Sequence, residues 1–188
     1  MDDFKREVRL LLLLSVGFFT FHLQAQESNS PLPNRFELAH FLVKVKRATH
    51  ASQSDDATVK NVLLAGTHQL EFSEGNFFYR DIYAGDSMFA GQEIVYYAGK
   101  PVWSMSYTGE IPTTVARADV GKAVRLLHKA PMNVSEDIPY RGPRWIREGE
   151  FVYVNHPGGS FASFFGDEVI RHVRTALYTL HYEGGLMR

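Results

Sequence analysis

The chain of 188 residues contains no cysteine. That excludes a disulfide framework, thiolate zinc sites, iron–sulfur ligation and a thiol nucleophile. It has almost no net charge, with 20 Lys+Arg against 21 Asp+Glu. Nucleic-acid binding selects a basic excess, so no nucleic-acid partner is expected. No HExxH pair, G-x-S-x-G elbow, phosphate loop or dinucleotide glycine fingerprint occurs. The eight histidines are scattered. No metal and no cofactor is therefore expected, and no serine nucleophile. What is present is a core-forming composition, 45% hydrophobic and 13% aromatic, which sets the chain apart from disordered sequences.

The apolar stretch Leu10 to Leu23, LLLLLSVGFFTFHL, is shorter than the roughly 20 residues that span a bilayer. Its length suits the hydrophobic core of a secretory signal peptide. The sequence turns polar at Gln24, and Ala25 is placed for cleavage. Asp2, Asp3 and Glu7 offset Lys5, Arg6 and Arg9, so the flank is less basic than usual. The expectation is a signal peptide over residues 1–25, with an uncleaved anchor or a buried N-terminal helix as the alternatives, then a flexible leader over 26–35 and one domain over 36–188. That expectation places the domain in a bacterial periplasm or outside the cell, with no membrane contact after cleavage.

Phe36 to His50 carries helical spacing. HASQSDDA at 50–57 is loop composition. After Gln69 the pattern changes to period two, and strands are expected at 70–73, 77–83, 93–97 and 102–107. Thr114 to Ala130 reads as a second helix, with Val120, Ala123, Val124 and Leu127 on one face and Pro131 beyond its end. Strand patterns resume at Trp145, Phe151, Val169 and Leu177, while Gly158-Gly159-Ser160 reads as a loop. The two strand blocks resemble each other. EGNFFY at 74–79 matches EGEFVY at 148–153, and FAGQEIV at 89–95 matches FFGDEVI at 164–170. Trp103, Met105, Tyr107 and Gly109 then align with Tyr178, Leu180, Tyr182 and Gly184. The expected fold is α+β. It is one compact pseudo-twofold domain made of duplicated helix-plus-antiparallel-meander units at about 36–111 and 114–187, with helices on one side of the strands.

Several long ordered segments also resemble a known family. They are FLVKVKRATHA at 41–51, LEFSEGNFFYRDIYAG at 70–85, FAGQEIVYYAGKPVWSMSYTG at 89–109, EDIPYRGPRWIREGEFVY at 136–153, FFGDEVI at 164–170 and YTLHYEGG at 178–185. Together they identify a chain similar to the domain-of-unknown-function family DUF5680 over about residues 36 to 188. The resemblance implies a shared fold and no assigned activity. Some members carry the domain behind a helix-turn-helix unit, which implies a ligand- or partner-sensing role. No such unit is expected in these 188 residues.

Three groups of residues carry the candidate chemistry. Glu93 and Glu168 occupy equivalent repeat positions. They could act as an acid/base pair, or could pair with Arg80, Arg141 or Arg147. Phe77, Tyr79, Asp81 and Tyr83 share one strand face, where an acid among aromatics could bind a cation or polar ligand. The alternative leaves Asp81 in water at a strand end, and its repeat partner is Asn155. Tyr140-Arg141-Gly142-Pro143 is a loop stiffened by prolines, with Gly142 read as allowing unusual backbone angles. Its Arg could clamp a carboxylate or phosphate, or fasten the loop. Trp103, Tyr107, Tyr178 and Tyr182 share a strand face, as core or as pocket lining. The expected function is non-catalytic recognition of a small ligand or protein through Tyr79, Asp81, Glu93, Trp103, Tyr107, Tyr140 and Arg141. An enzyme using Glu93 or Glu168, and a module that binds through a sheet edge, are the alternatives.

Overall fold

Asn34 starts the first helix. Its side-chain oxygen accepts from the Phe36 and Glu37 amides at 2.9 and 3.0 Å, and the Glu37 carboxylate accepts from the Asn34 amide at 2.8 Å. This capping box satisfies amides that the first turn leaves without partners. The computed structural model describes residues 32–51 and 58–187. Helix α1 spans Arg35–Lys46 and runs into a π-helical turn, Arg47–Ala51. The Thr49 hydroxyl donates to the Val45 carbonyl across that junction. The expected signal peptide, most of the leader and the last part of the 50–57 loop lie outside the described residues.

Eight strands follow. They are β1 (His68–Glu74), β2 (Phe77–Ala84), β3 (Met88–Tyr97), β4 (Lys100–Glu110), β5 (Trp145–Glu148), β6 (Phe151–Ser160), β7 (Ser163–His172) and β8 (Thr175–Leu186). Helix α2 (Arg117–Met132) separates β4 from β5. All neighbours are antiparallel, in the order β1-β2-β3-β4-β8-β7-β6-β5. The described residues thus form a single α+β domain with two α-helices and one eight-stranded antiparallel sheet. Each four-strand meander turns first at a two-residue loop led by glycine, Gly75 (φ 59) and Gly149 (φ 60). Glycine adopts that backbone without a Cβ clash.

Period two sorts the sheet into two faces. Tyr79, Val95, Trp103, Met105, Tyr153, Ile170, Leu180 and Tyr182 are buried on the inner face. Leu38, Phe41, Leu42 and Val45 of α1 join them in one core with Ala123, Leu126 and Ala130 of α2. The outer face carries partly wetted groups such as Gln92, which donates to Ser104, and the exposed pair His181–Asp167.

Four sequence expectations change. Helix α2 starts and ends later than 114–130, and Pro131 sits inside its last turn. Its ring removes one hydrogen bond to the preceding turn and crowds the carbonyl four residues back, and the helix ends one residue later at Met132. The buried stripe of α2 runs through Ala123, Leu126 and Ala130, a rotation away from Val120 and Val124. Gly158, Gly159 and Ser160 belong to strand β6 rather than a loop. A Cβ on Gly158 would meet the Phe165 ring at 2.7 Å, so glycine admits that ring from the neighbouring strand. Asp81 is fully buried and not solvated.

Candidate functional site

Cross-strand pairing brings the polar residues of the inner face together. Asp81 on β2 faces Glu93 on β3, and Asn155 on β6 faces Glu168 on β7. Both pairs are buried. Carboxyls out of water require partners, and two cations enter from the covering layer. Lys46, the last residue of α1, donates its Nζ to Glu93 Oε2. Arg141 comes from the loop after α2. Its Nη2 donates to Glu168 Oε2 at 2.6 Å, and its Nη1 lies 3.9 Å from Glu93 Oε1. Arg141 was one of three arginines the sequence offered as a glutamate partner. Arg80 instead pairs with Glu71, and Arg147 bonds the Gly149 carbonyl.

Tyrosines complete the cluster. The Tyr153 and Tyr178 hydroxyls donate to Glu168, the latter at 3.3 Å. The Tyr107 hydroxyl sits between both Asp81 oxygens, at 2.9 and 3.1 Å. The Tyr182 hydroxyl donates to Asn155 Oδ1 at 2.8 Å, and Asn155 in turn donates to the Gly142 carbonyl. The Tyr140 ring lies flat on Phe164 with centroids 3.8 Å apart. These contacts fasten the 140–142 loop on both sides of Arg141. Gly142 is required for space, since a Cβ there would meet the Tyr153 hydroxyl at 2.5 Å and the Ala130 Cβ at 2.7 Å. Its φ is not among the positive ones, which corrects the expectation of unusual angles.

A cavity of about 310 Å³ opens above this floor. Lys46, Asp81, Tyr107, Arg141, Tyr153, Glu168 and Tyr178 supply its polar lining. Leu70, Tyr83, Phe89, Ile111, Leu127 and Leu180 supply an apolar lining, with Tyr140 and His128 beside them. Of the seven residues singled out from sequence, Asp81, Tyr107, Tyr140 and Arg141 line the cavity. Glu93 lies beneath it, bonded to Lys46. Tyr79 and Trp103 are fully buried outside its lining, though Tyr79 stays within the polar cluster, its hydroxyl hydrogen-bonded to Glu93. Trp103 packs against Phe164, and its indole N–H has no hydrogen-bond partner among the described residues.

Lys46 and Tyr153 were missed. Lys46 was legible: Leu38, Leu42 and Lys46 are spaced by four, so the lysine shares the buried helix face. Tyr153 is the repeat partner of Tyr79.

The electrostatics are uneven. Burial and the nearby Glu93 charge push the Asp81 carboxyl up to about 8, against the opposing influence of Lys46, the Tyr107 hydrogen bond and Arg141. Burial alone would raise Glu168 too. The Arg141 charge and hydrogen bonds from Arg141, Tyr153 and Tyr178 outweigh that effect and hold it below the usual carboxylate range. Burial lowers Lys46, Arg141 lowers it further, and Glu93 and Asp81 only partly compensate.

The sign of the Asp81 effect follows from linkage. A carboxyl raised on folding contributes stability below its unfolded pKa and loses it as pH rises through its folded value. Asp81→Asn keeps an acceptor for Tyr107 and recreates the Tyr182–Asn155 pair of the other half. Comparison of urea unfolding from pH 4 to pH 9 should show wild type losing stability relative to Asp81→Asn as pH rises towards about 8. Parallel curves would refute the raised pKa.

Among the described residues, no group of three or more His, Asp or Glu could hold a metal ion. No described helix is long and apolar enough to cross a membrane. In comparisons with known proteins, the family described as a domain of unknown function, DUF5680, matches residues 81–187. Neither the curated proteins nor the solved structures gave a match.

Proposed function

The chain belongs to the DUF5680 family, and we propose that it is an exported domain that binds a small ligand in the cavity above Asp81 and Glu168. The observation that carries this reading is the cavity itself. Its volume, about 310 Å³, stands at the lower end of the roughly 300–1,000 Å³ of ligand sites. It combines an apolar lining with a few convergent polar groups, as such sites do. The polar groups are held in place by one another, so little ordering cost falls on a ligand. A neutral compound with an apolar body and a polar head suits this lining. Its body would lie against Leu70, Phe89, Ile111 and Leu127, and its head would reach Asp81 and Tyr107.

The acid/base alternative gains less support. Glu168 is tied to a guanidinium and two phenols, and Glu93 is outside the cavity lining.

Binding is tested by filling the space. Leu127 is only partly buried, so Leu127→Trp should leave the fold intact while occupying the cavity. Screened by ligand-observed NMR against small aromatic and aliphatic alcohols, the wild type should bind members of the set. Leu127→Trp should weaken that binding at least about tenfold, which is about 1.4 kcal/mol. Equal binding by both proteins would place the ligand elsewhere.

Export rests on the leader sequence. Protein recovered from the periplasm or medium should begin at Gln26 by intact mass. A full-length chain retained in the membrane would refute cleavage.

The domain is also proposed to be an internal duplication. The repeat offset of 75 residues that pairs Glu93 with Glu168 also pairs Gly91 with Gly166 and Tyr107 with Tyr182. It relates two register shifts as well, one between Val95 and Tyr96 and one between Ile170 and Arg171. Matched irregularities support common ancestry of the halves more strongly than matched strands do, because bulges are specific features of a family.

A further inference from the structure

Lys46 is 3% exposed, yet it lines the cavity. It ends α1 just before the π-helical turn, an irregularity that is frequent at functional sites. Its Nζ bonds Glu93 Oε2 and lies 5.9 Å from the centre of the Tyr79 ring. Asp81, held by Tyr107, stands on the strand beside Glu93 and lines the same cavity. An amine, a carboxylate on that amine and a second carboxyl facing the cavity are the groups that imine formation requires. We propose that Lys46 captures a small aldehyde or ketone in this cavity as an imine, with Glu93 and Asp81 moving the protons.

The inference rests on the reading of the cavity as a ligand site and adds a covalent step to it. Burial and the Arg141 charge favour the neutral, nucleophilic form of Lys46. Its Nζ adds to the carbonyl carbon, and the C=O π bond breaks. Protonated Asp81 gives its proton to the carbonyl oxygen, while Glu93 takes one from nitrogen. Glu93 passes that proton to Asp81, its neighbour across the strand pair, and Asp81 gives it to the hydroxyl, which leaves as water. The products are a protonated imine, water and two carboxylates. No oxidant or reductant is consumed. The apolar lining receives the hydrocarbon part of the substrate, which favours apolar carbonyl compounds over sugars.

The test is reductive trapping of the full-length chain with benzaldehyde and cyanoborohydride at neutral pH, mapped by peptide mass. Exposed lysines such as Lys100 serve as internal controls. Benzyl alcohol, which has a similar shape and cannot form an imine, reports on the cavity separately. The expected result is a benzyl adduct on Lys46, formed at least about tenfold faster than on Lys100, because the cavity holds the aldehyde beside this amine. Lys46→Arg should abolish that adduct and keep benzyl alcohol binding, and Asp81→Asn should slow its formation. Benzyl alcohol binding with no preference for Lys46 overturns the covalent step and leaves the ligand site standing. No binding and no adduct overturns both. If Lys46→Arg does not fold, the position of the adduct in the wild type decides the matter.

Discussion

Arg141→Ala is expected to cost the fold about 3–5 kcal/mol, the usual loss when one partner of a buried ion pair is removed. Glu168 is only 3% exposed, and Arg141 is its sole cationic partner within salt-bridge distance among the described residues. Tyr153 and Tyr178 would remain as donors. Two neutral hydrogen bonds offset only part of the cost of desolvating a carboxylate. The variant should also lose stability with rising pH more steeply than the wild type, in which Asp81 contributes such a loss. Burial is already the largest single influence on Glu168, and without the guanidinium only the Tyr153 and Tyr178 hydrogen bonds oppose it, so its pKa moves above the usual range. A raised carboxyl loses its contribution as pH rises, so the fall in urea midpoint from pH 5 to pH 8 should be larger for Arg141→Ala than for the wild type. Replacing both members, as Arg141→Met with Glu168→Gln, should recover most of the loss, because a neutral pair leaves no buried charge. A loss under about 1 kcal/mol at pH 8, or a double variant no better than Arg141→Ala, would show that the pair does not hold this loop.

The parts of this site that the sequence disclosed are those that follow from local periodicity and from the repeat. Alternation placed Tyr79 and Asp81 on one face. The matched spacing placed Glu93 and Glu168 in equivalent positions, and composition marked 140–143 as a rigid loop. Which side of the sheet the helices would cover was not legible from a strand alone. Asp81 could therefore be read as a solvated strand end, although a tyrosine two residues away on each side argued for its burial. The Lys46 contact joins the end of α1 to the middle of β3, and the only local trace of it is the four-residue spacing from Leu42. The glycines were the least legible. Gly142 and Gly158 read as loop residues and Gly166 only as a member of the repeat, yet each meets a ring from a separate strand that only the assembled sheet brings near. A sequence displays backbone freedom directly and displays the need for space only through its tertiary neighbours.

The same need for space gives the second large effect, in Gly91→Ala and Gly166→Ala. Each glycine pairs directly with a tyrosine on the next strand, Gly91 with Tyr107 and Gly166 with Tyr182. The ring lies across the glycine, which lets its hydroxyl reach the polar residue one strand further on, Asp81 in one half and Asn155 in the other. A Cβ on Gly91 would meet the Tyr107 hydroxyl at 2.5 Å and the Tyr83 Cβ at 2.6 Å. One on Gly166 would meet Tyr182 Cζ at 2.5 Å and the His156 carbonyl oxygen at 2.8 Å. Neither site can relieve the clash by moving a flexible chain end, so each alanine should cost about 1–3 kcal/mol, as overpacking of a filled core does. The consequences then diverge. Displacing Tyr107 disturbs the cavity lining and releases Asp81 from its hydroxyl donor, so Gly91→Ala should also weaken ligand binding. Displacing Tyr182 disturbs Asn155, whose bond to the Gly142 carbonyl anchors the Arg141 loop. Tyr107 and Tyr182 are themselves cross-strand partners at the β4–β8 seam. The double variant should therefore depart from the sum of the singles by more than about 0.5 kcal/mol, as contacting residues do. Urea unfolding of the three variants measures the stabilities, and the ligand-observed NMR screen measures the binding. A strictly additive pair would mean that the two rings move independently, and the seam would not couple the two polar clusters.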